Sequence, residues 1–302
     1  MNRYEGQITD IEGILVGHAS DSGHNTGVTA VIAEGGAVCG VDVRGSAPGT
    51  RETALLGQGK TVDKVNAVML CGGSAFGLDA AGGAMQFLEE NGQGFETAYG
   101  VVPIVPACVI FDLGYGSAAV RPDKKMGYEA CVNAGSETVQ GSVGAGTGAT
   151  VGKAIGQEYS MKSGIGTSCI ELPGGVKVAS IAAVNAFGDI YDSGKIIAGA
   201  RKDGVFVDSA KMMDGIFEDF SGANTIIGVI ATNAKLNKDE ATKLAQMGHN
   251  GICCAVSPAH TVFDGDTIFC LSTGSVEAPL ARLTAAAQES FRRSVVNAVL
   301  QR

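Results

Sequence analysis

Asn224-Thr225 stands where the most polar, least periodic part of the chain, residues 201–221, gives way to the apolar run Thr225-Ile226-Ile227-Gly228-Val229-Ile230-Ala231-Thr232. A threonine at such a junction has a chemical use that an interior threonine lacks. If the backbone were cut before it, Thr225 would carry a free α-amine beside its own hydroxyl. An α-amine titrates near ~7.7–8.0 and can accept a proton at neutral pH. A threonine with its own terminal amine is an established nucleophile pair. Thr225 equally suits the first position of a strand, where β-branched residues are favoured, and spacing alone prefers that plainer reading.

Other chemistry-bearing patterns are weaker. His260 lies six residues before Asp266, so a Ser-His-Asp set can be composed on paper, as in any chain of this length. His249 is expected at a helix C-terminus, where a cationic side chain meets the dipole. Gly144-Ala145-Gly146-Thr147-Gly148-Ala149 has the composition of a nucleotide loop without the Rossmann spacing. Gly152-Lys153 has the end of a P-loop, but Thr147 stands at the first glycine position and Ala154 at the Ser/Thr position. There is no HExxH, no G-x-S-x-G and no C-x-x-C. The eight cysteines are scattered, several in apolar runs, and read as buried small hydrophobes in a reducing compartment.

The elements that must position these residues follow from periodicity. Strands are expected at 14–16, 27–33 and 37–43, the last two joined as a hairpin by Glu34-Gly35-Gly36, and at 65–70, 104–111, 176–185, 225–232 and 266–272. Helices are expected from about Ala75 to Glu90, over 123–134, from the capping box Asn237-x-x-Glu240 to Met247 with Gly248 as its stop, and over 277–300. Strands with segregated helices predict α+β or a layered α/β sandwich. Ala80-Ala81-Gly82-Gly83-Ala84 and the long C-terminal helix invite close packing, and a homo-oligomer is expected from these faces.

Composition narrows the function classes. The 302 residues carry 22 basic and 31 acidic side chains, with no basic stripe, which argues against nucleic acid as a partner. Hydrophobic residues make up 45%, enough for a real core. Glycine, at 45 residues, is about twice its usual ~7% share, so backbones must approach closely. No apolar run is long enough to span a membrane. The start, Met1-Asn2-Arg3-Tyr4-Glu5-Gly6, lacks a secretory apolar segment, so a cytoplasmic location is expected.

Three blocks carry a resemblance: Val41-Asp42-Val43-Arg44-Gly45-Ser46-Ala47-Pro48-Gly49-Thr50-Arg51-Glu52, Gly72-Gly73-Ser74-Ala75-Phe76-Gly77-Leu78-Asp79-Ala80-Ala81, and Gly222-Ala223-Asn224-Thr225 continuing through Ile230-Ala231-Thr232-Asn233-Ala234. Together they resemble the DmpA-type aminopeptidase family, which includes L-aminopeptidase/D-esterases, β-peptidyl aminopeptidases and nylon-oligomer hydrolases. The resemblance runs from about residue 8 to 300. Asn-Thr at the junction looks more like the nylon-oligomer branch than the Gly-Ser of many aminopeptidases.

The resemblance implies a four-layer αββα sandwich of the N-terminal-nucleophile-hydrolase kind, formed by one domain, 1–302. It implies self-cleavage between Asn224 and Thr225 into 1–224 and 225–302, and a homotetramer acting on small peptides or other amides with no cofactor and no metal. Asn185 matches the family's oxyanion-stabilising Asn, Lys153 a lysine of the nylonase branch, and Tyr115 an active-site tyrosine. Asp264 and Asp266 match two acidic residues that approach the nucleophile; as residues alone, Asp264-Gly265-Asp266 reads as a turn before a strand. Two alternatives stay open: an acyltransferase like the ornithine acetyltransferases, which resemble this fold, and a relative without catalysis.

Overall fold

A computed structural model describes residues 4–212 and 224–301. Its main strands are β1 (Ile14–Asp21), β2 (Thr26–Val43), β3 (Lys64–Cys71), β4 (Ala107–Val109), β5 (Ile165–Leu172), β6 (Val176–Asn185), β7 (Thr225–Ala234) and β8 (Thr267–Val276). Its α-helices are α1 (Ala80–Glu90), α2 (Lys124–Val132), α3 (Lys238–Ala255) and α4 (Leu280–Leu300). Strand order among the described residues is β5-β6-β7-β8-β2-β3-β4 with Thr50–Arg51 at the edge, and β1 pairs with β2.

The strands are buried on both faces, and alternation sorts their side chains into layers. Ile181, Ala183, Ile227, Val229, Phe269 and Leu271 share one core with Val16, Val31, Val68 and Leu70. Opposite faces of the same strands turn outward: Val184, Ile226, Ile230 and Ile268 pack with Leu244, Phe291 and Val295 of α3 and α4. Ala30, Met69 and Ala107 pack with Ala81, Ala84 and Ala130 of α1 and α2. The result is helix, sheet, sheet, helix, with β2 passing from one sheet region to the other.

That passage corrects the expected hairpin at Glu34-Gly35-Gly36. The chain continues as one strand, with Gly35 and Gly36 at φ 72° and 75° and a register shift against β3 between Ile32 and Ala37. Two left-handed glycines make a bulge that re-aims a strand as readily as a loop that reverses it. Gly248 is likewise no helix stop. The helix α3 runs through it to Ala255, because a Cβ there would stand 2.8 Å from Ile230 and 2.9 Å from Ile268 side chains. His249 is therefore a buried mid-helix residue and not a C-terminal cap. The capping box Asn237–Glu240 forms as expected.

Residues 104–111 yield only the short β4, since Pro103 and Pro106 have no N–H for a ladder. The helix expected from Ala75 opens as a tight 3-10 turn, Ser74–Asp79, before α1. Five cysteines are buried as expected and Cys169 is half-buried, but Cys253 and Cys254, near the end of α3, are exposed; all eight are free thiols. The polar stretch after Ala200 begins as a small hairpin, Arg201–Lys202 with Val205–Phe206, followed by a 3-10 turn at Ser209–Lys211; residues 213–223 lie outside the described residues. The small-residue faces are occupied within the chain: Gly83 of α1 and Gly127 of α2 each meet the other helix's backbone, and Gly166 of β5 meets α4. No described helix is long and apolar enough to cross a membrane.

Candidate active site

Strands β6 and β7 run antiparallel, and Asn185 pairs with Thr225 at the end of the ladder. Directly opposed residues put their side chains on the same face about 4.5–5.5 Å apart at Cβ. That face is the inner one, shared with Ala183 and Ile227, so both polar side chains close the end of the layer between the sheets. Thr225 is 5% exposed and Asn185 1%.

The Thr225 hydroxyl donates to the carbonyl oxygen of Asn224, so it lies against the one peptide bond that separates it from the preceding residue. The Gly265 N–H donates to that same carbonyl oxygen at 3.2 Å. A carbonyl that accepts a backbone N–H is polarised, and the same donor suits an oxyanion formed there. Asn224 is buried, and among the described residues neither atom of its side-chain amide has a partner. A cavity of about 220 Å³ opens here, lined by Pro48, Ser74, Phe111, Asn224, Thr225 and Phe263 among others. A larger cavity of about 710 Å³ between α1 and α2 holds none of these groups.

Asn185 is held at both ends of its amide. Its Oδ1 accepts from Thr150 N–H at 3.1 Å and from Lys153 Nζ at 2.7 Å, and its Nδ2 donates to the Phe111 carbonyl at 3.0 Å. Lys153 Nζ also donates to the Asn185 carbonyl at 3.1 Å. Lys153 is 2% exposed, not a solvated strand-end charge. Burial pulls its amine down to about 7, against the attraction of Asp264 and Asp112.

Asp264 and Asp266 sit just before β8, beneath the loop 44–49. Arg44 N–H donates to the Asp266 carbonyl and Ala47 N–H to the Asp264 carbonyl. Gly45 makes this contact possible: a Cβ there would lie 2.0 Å from the Asp264 oxygen. The Asp266 Oδ1 accepts from Ile226 N–H at 2.6 Å, one residue before the β7–β8 ladder begins at Ile227–Thr267. The Asp264 Oδ2 accepts from the N–H and hydroxyl of Thr261 at 2.6 and 2.7 Å. Burial, aided by the neighbouring Asp266, raises Asp264 to about 6.

Tyr115 is 38% exposed; its described contacts run to Asp112, through its N–H, and to Lys162, whose Nζ stands 5.9 Å from the ring centre. Thus Asn224, Thr225, Asn185, Lys153, Asp264 and Asp266 are brought together, whereas no described contact joins Tyr115 to Thr225. Gly144–Gly146 of the nucleotide-loop-like stretch forms a 3-10 turn, and Lys153 of the P-loop-like pair is spent on Asn185.

Sequence reasoning missed Asp112. It is 4% exposed, accepts from Thr26 and from Gly73 N–H at 2.8 and 2.7 Å, and is raised by burial. Its only signal was the glycines around it, since a Cβ on Gly72 or Gly148 would strike it. Also missed was Lys162, pulled to about 8 by burial and capping the carbonyls of Gly146, Ala149 and Ser163. Among the described residues no group of His, Cys, Asp and Glu is arranged to hold a metal ion.

The family described as peptidase family S58 matches residues 6–302. An uncharacterized aminopeptidase of Mycobacterium tuberculosis is 40% identical over 291 residues, covering 90% of this chain and 83% of that protein. A 6-aminohexanoate-oligomer endohydrolase of a Kocuria species is 30% identical over 279 residues, covering 89% and 76%. Among solved structures, an L-aminopeptidase D-Ala-esterase/amidase from Ochrobactrum anthropi, described as a variant of the Ntn hydrolase fold, superposes with a TM-score of 0.75 at 18% identity, over 99% of this chain and 87% of that one. A β-aminopeptidase from Burkholderia gives 0.70 at 20% identity, over 98% and 86%. The layered fold expected from the sequence agrees with these neighbours.

Proposed function

This chain belongs to peptidase family S58 and is a hydrolase of amide bonds, and on that premise we propose that Thr225 is its nucleophile, freed by self-cleavage of a single 1–302 domain. The observation that carries the proposal is the Thr225 hydroxyl against the Asn224 carbonyl, with Gly265 N–H on the same oxygen. In the first step the hydroxyl oxygen adds to the Asn224 carbonyl carbon. The Asn224–Thr225 C–N bond breaks, the nitrogen takes a proton, and an ester links the two residues. Water hydrolyses the ester, leaving a carboxylate on Asn224 and a free amine on Thr225. The same hydroxyl then attacks a substrate amide, with the α-amine as proton acceptor.

Asn185 supplies an amide donor to the oxyanion, Lys153 fixes that amide, Tyr115 assists from the 112–116 turn, and Asp264 and Asp266 hold and tune the amine. The substrates proposed are small peptides, β-peptides or nylon-type oligomers, in keeping with the names of the relatives and with a cavity of about 220 Å³. A cytoplasmic homotetramer completes the proposal. It rests on family resemblance, because the small-residue faces that suggested it are filled within the chain.

The test is hydrolysis of three probes, L-alanine p-nitroanilide, β-alanine p-nitroanilide and linear 6-aminohexanoate trimer. Wild type is expected to cleave at least one, and Thr225→Ala none. Equal cleavage by Thr225→Ala overturns the nucleophile. Transfer from N-acetylornithine to an amine acceptor, without hydrolysis of any probe, would instead mark an acyltransferase.

A further inference from the structure

The Asp266 carboxylate faces two donors. One is the Ile226 N–H at the head of β7; the other is His260 Nδ1, 2.7 Å from Oδ2. We propose that His260 is a positioning residue for the hydrolysis: as an imidazolium it clamps Asp266, and through Asp266 it fixes the Thr225–Ile226 peptide and so the place of the nucleophile. This inference rests on the reading of Thr225 as nucleophile.

Geometry sets the protonation state. His260 Nε2 points at the His249 carbonyl at 3.4 Å while Nδ1 points at a carboxylate. Both ring nitrogens thus face acceptors, which only the doubly protonated ring can satisfy. The groups packed around it fit this state. From α3 come the Cys253 thiol, a further acceptor, and the His249 ring, 4.9 Å away. His249 is fully buried, donates Nε2–H to the Asp42 carbonyl at 3.0 Å, and has no partner for Nδ1 among the described residues. Burial lowers it to about 4, so it is neutral and does not repel its neighbour. Asp42, on β2, is paired with Arg44, and Asp264 stands on the His260 loop. Burial, the largest single influence, opposes the charge on His260, but Asp266 and Cys253 together outweigh it and push the ring up to about 10.

The backbone is also committed. His260 sits at φ 56°, where Asn and Gly are tolerated and most side chains are not. This provides two informative variants. His260→Gly removes the clamp without backbone strain. His260→Asn keeps a donor near the Nδ1 position and removes the charge.

The experiment measures kcat and KM from pH 6 to 11 on the best amide of the three probes, with Thr225→Ala as the zero. His260→Gly is expected to lose about 10-fold or more in kcat with KM nearly unchanged, the scale of one charge-assisted hydrogen bond. His260→Asn is expected to recover only part of that loss, since it restores a donor to Asp266 but not the charge. Wild type should lose kcat on the alkaline side as His260 gives up its proton, and His260→Asn should lack that limb. A His260→Gly enzyme with wild-type kcat, or a His260→Asn enzyme with the same alkaline limb, overturns the proposal. Should His260→Gly not fold, the alkaline limb of His260→Asn still decides. Activity in Thr225→Ala would instead defeat the reading of the nucleophile, a separate outcome.

Discussion

Asn185 and Thr225 face each other across the β6–β7 ladder, both on the inner face and both at its last rung. The same register that builds the sheet therefore sets an amide side chain beside a hydroxyl. Asn185 is in turn fixed by Lys153, Thr150 and Phe111. Asn185→Ala is expected to lower kcat by about 10²–10³-fold, the usual loss for one oxyanion donor. It also strips Lys153 Nζ of a buried acceptor, so the melting temperature should fall. Steady-state kinetics and thermal unfolding of the variant check both effects.

Lys153 predicts a pH dependence of stability. Its amine titrates near 7 in the fold and near ~10.4 when unfolded. Between those values the unfolded chain binds more protons, so this group makes stability rise with pH. Below about 7 the lysine is charged in both states and the cost of burying it is fully present. Lys153→Met should lose the rise between pH 7 and 10. Urea unfolding at several pH values compares the two slopes; parallel slopes would contradict the assignment.

The acidic pair separates catalysis from turn formation. Both carboxylates meet donors at their described side-chain contacts, Asp264 from Thr261 and Asp266 from Ile226 and His260. Asn offers one acceptor and turns an NH2 toward one of the Asp266 donors. Asp266→Asn is expected to lose more than ~10²-fold in single-turnover hydrolysis, and Asp264→Asn to lose a comparable amount through the lost charge near the amine. Turnover within a few-fold of wild type in both would leave the segment a turn only.

Gly45 tests how the segment is held. Its missing Cβ admits the Asp264 carbonyl at a distance no side chain allows. Gly45→Ala must push the 264–266 segment away from β7, at a cost of ~1–3 kcal/mol for overpacking. Melting temperature and self-cleavage rate should fall together.

Legibility tracked the range of the interaction. The strands at 176–185 and 225–232 were readable because β-branched runs bounded by polar residues are local signals. The capping box was readable for the same reason. The bulge at Gly35-Gly36 was not, since a bulge and a hairpin share composition and differ only in whether β3 continues alongside. Gly248 read as a stop because its packing against Ile230 and Ile268 is long-range. Family resemblance alone names Asn185, Lys153, Tyr115 and the acidic pair; the register and hydrogen bonds gather all but Tyr115 around the Asn185–Thr225 rung. Asp112 and the His260–Asp266 clamp had no local signature, because each is assembled by segments distant in the chain or by an unusual backbone turn.

The most direct measurement is the intact mass of purified protein after prolonged incubation. Wild type is expected to give two chains, 1–224 and 225–302, and Thr225→Ala one uncut 302-residue chain. A wild-type protein that stays full length would contradict self-cleavage.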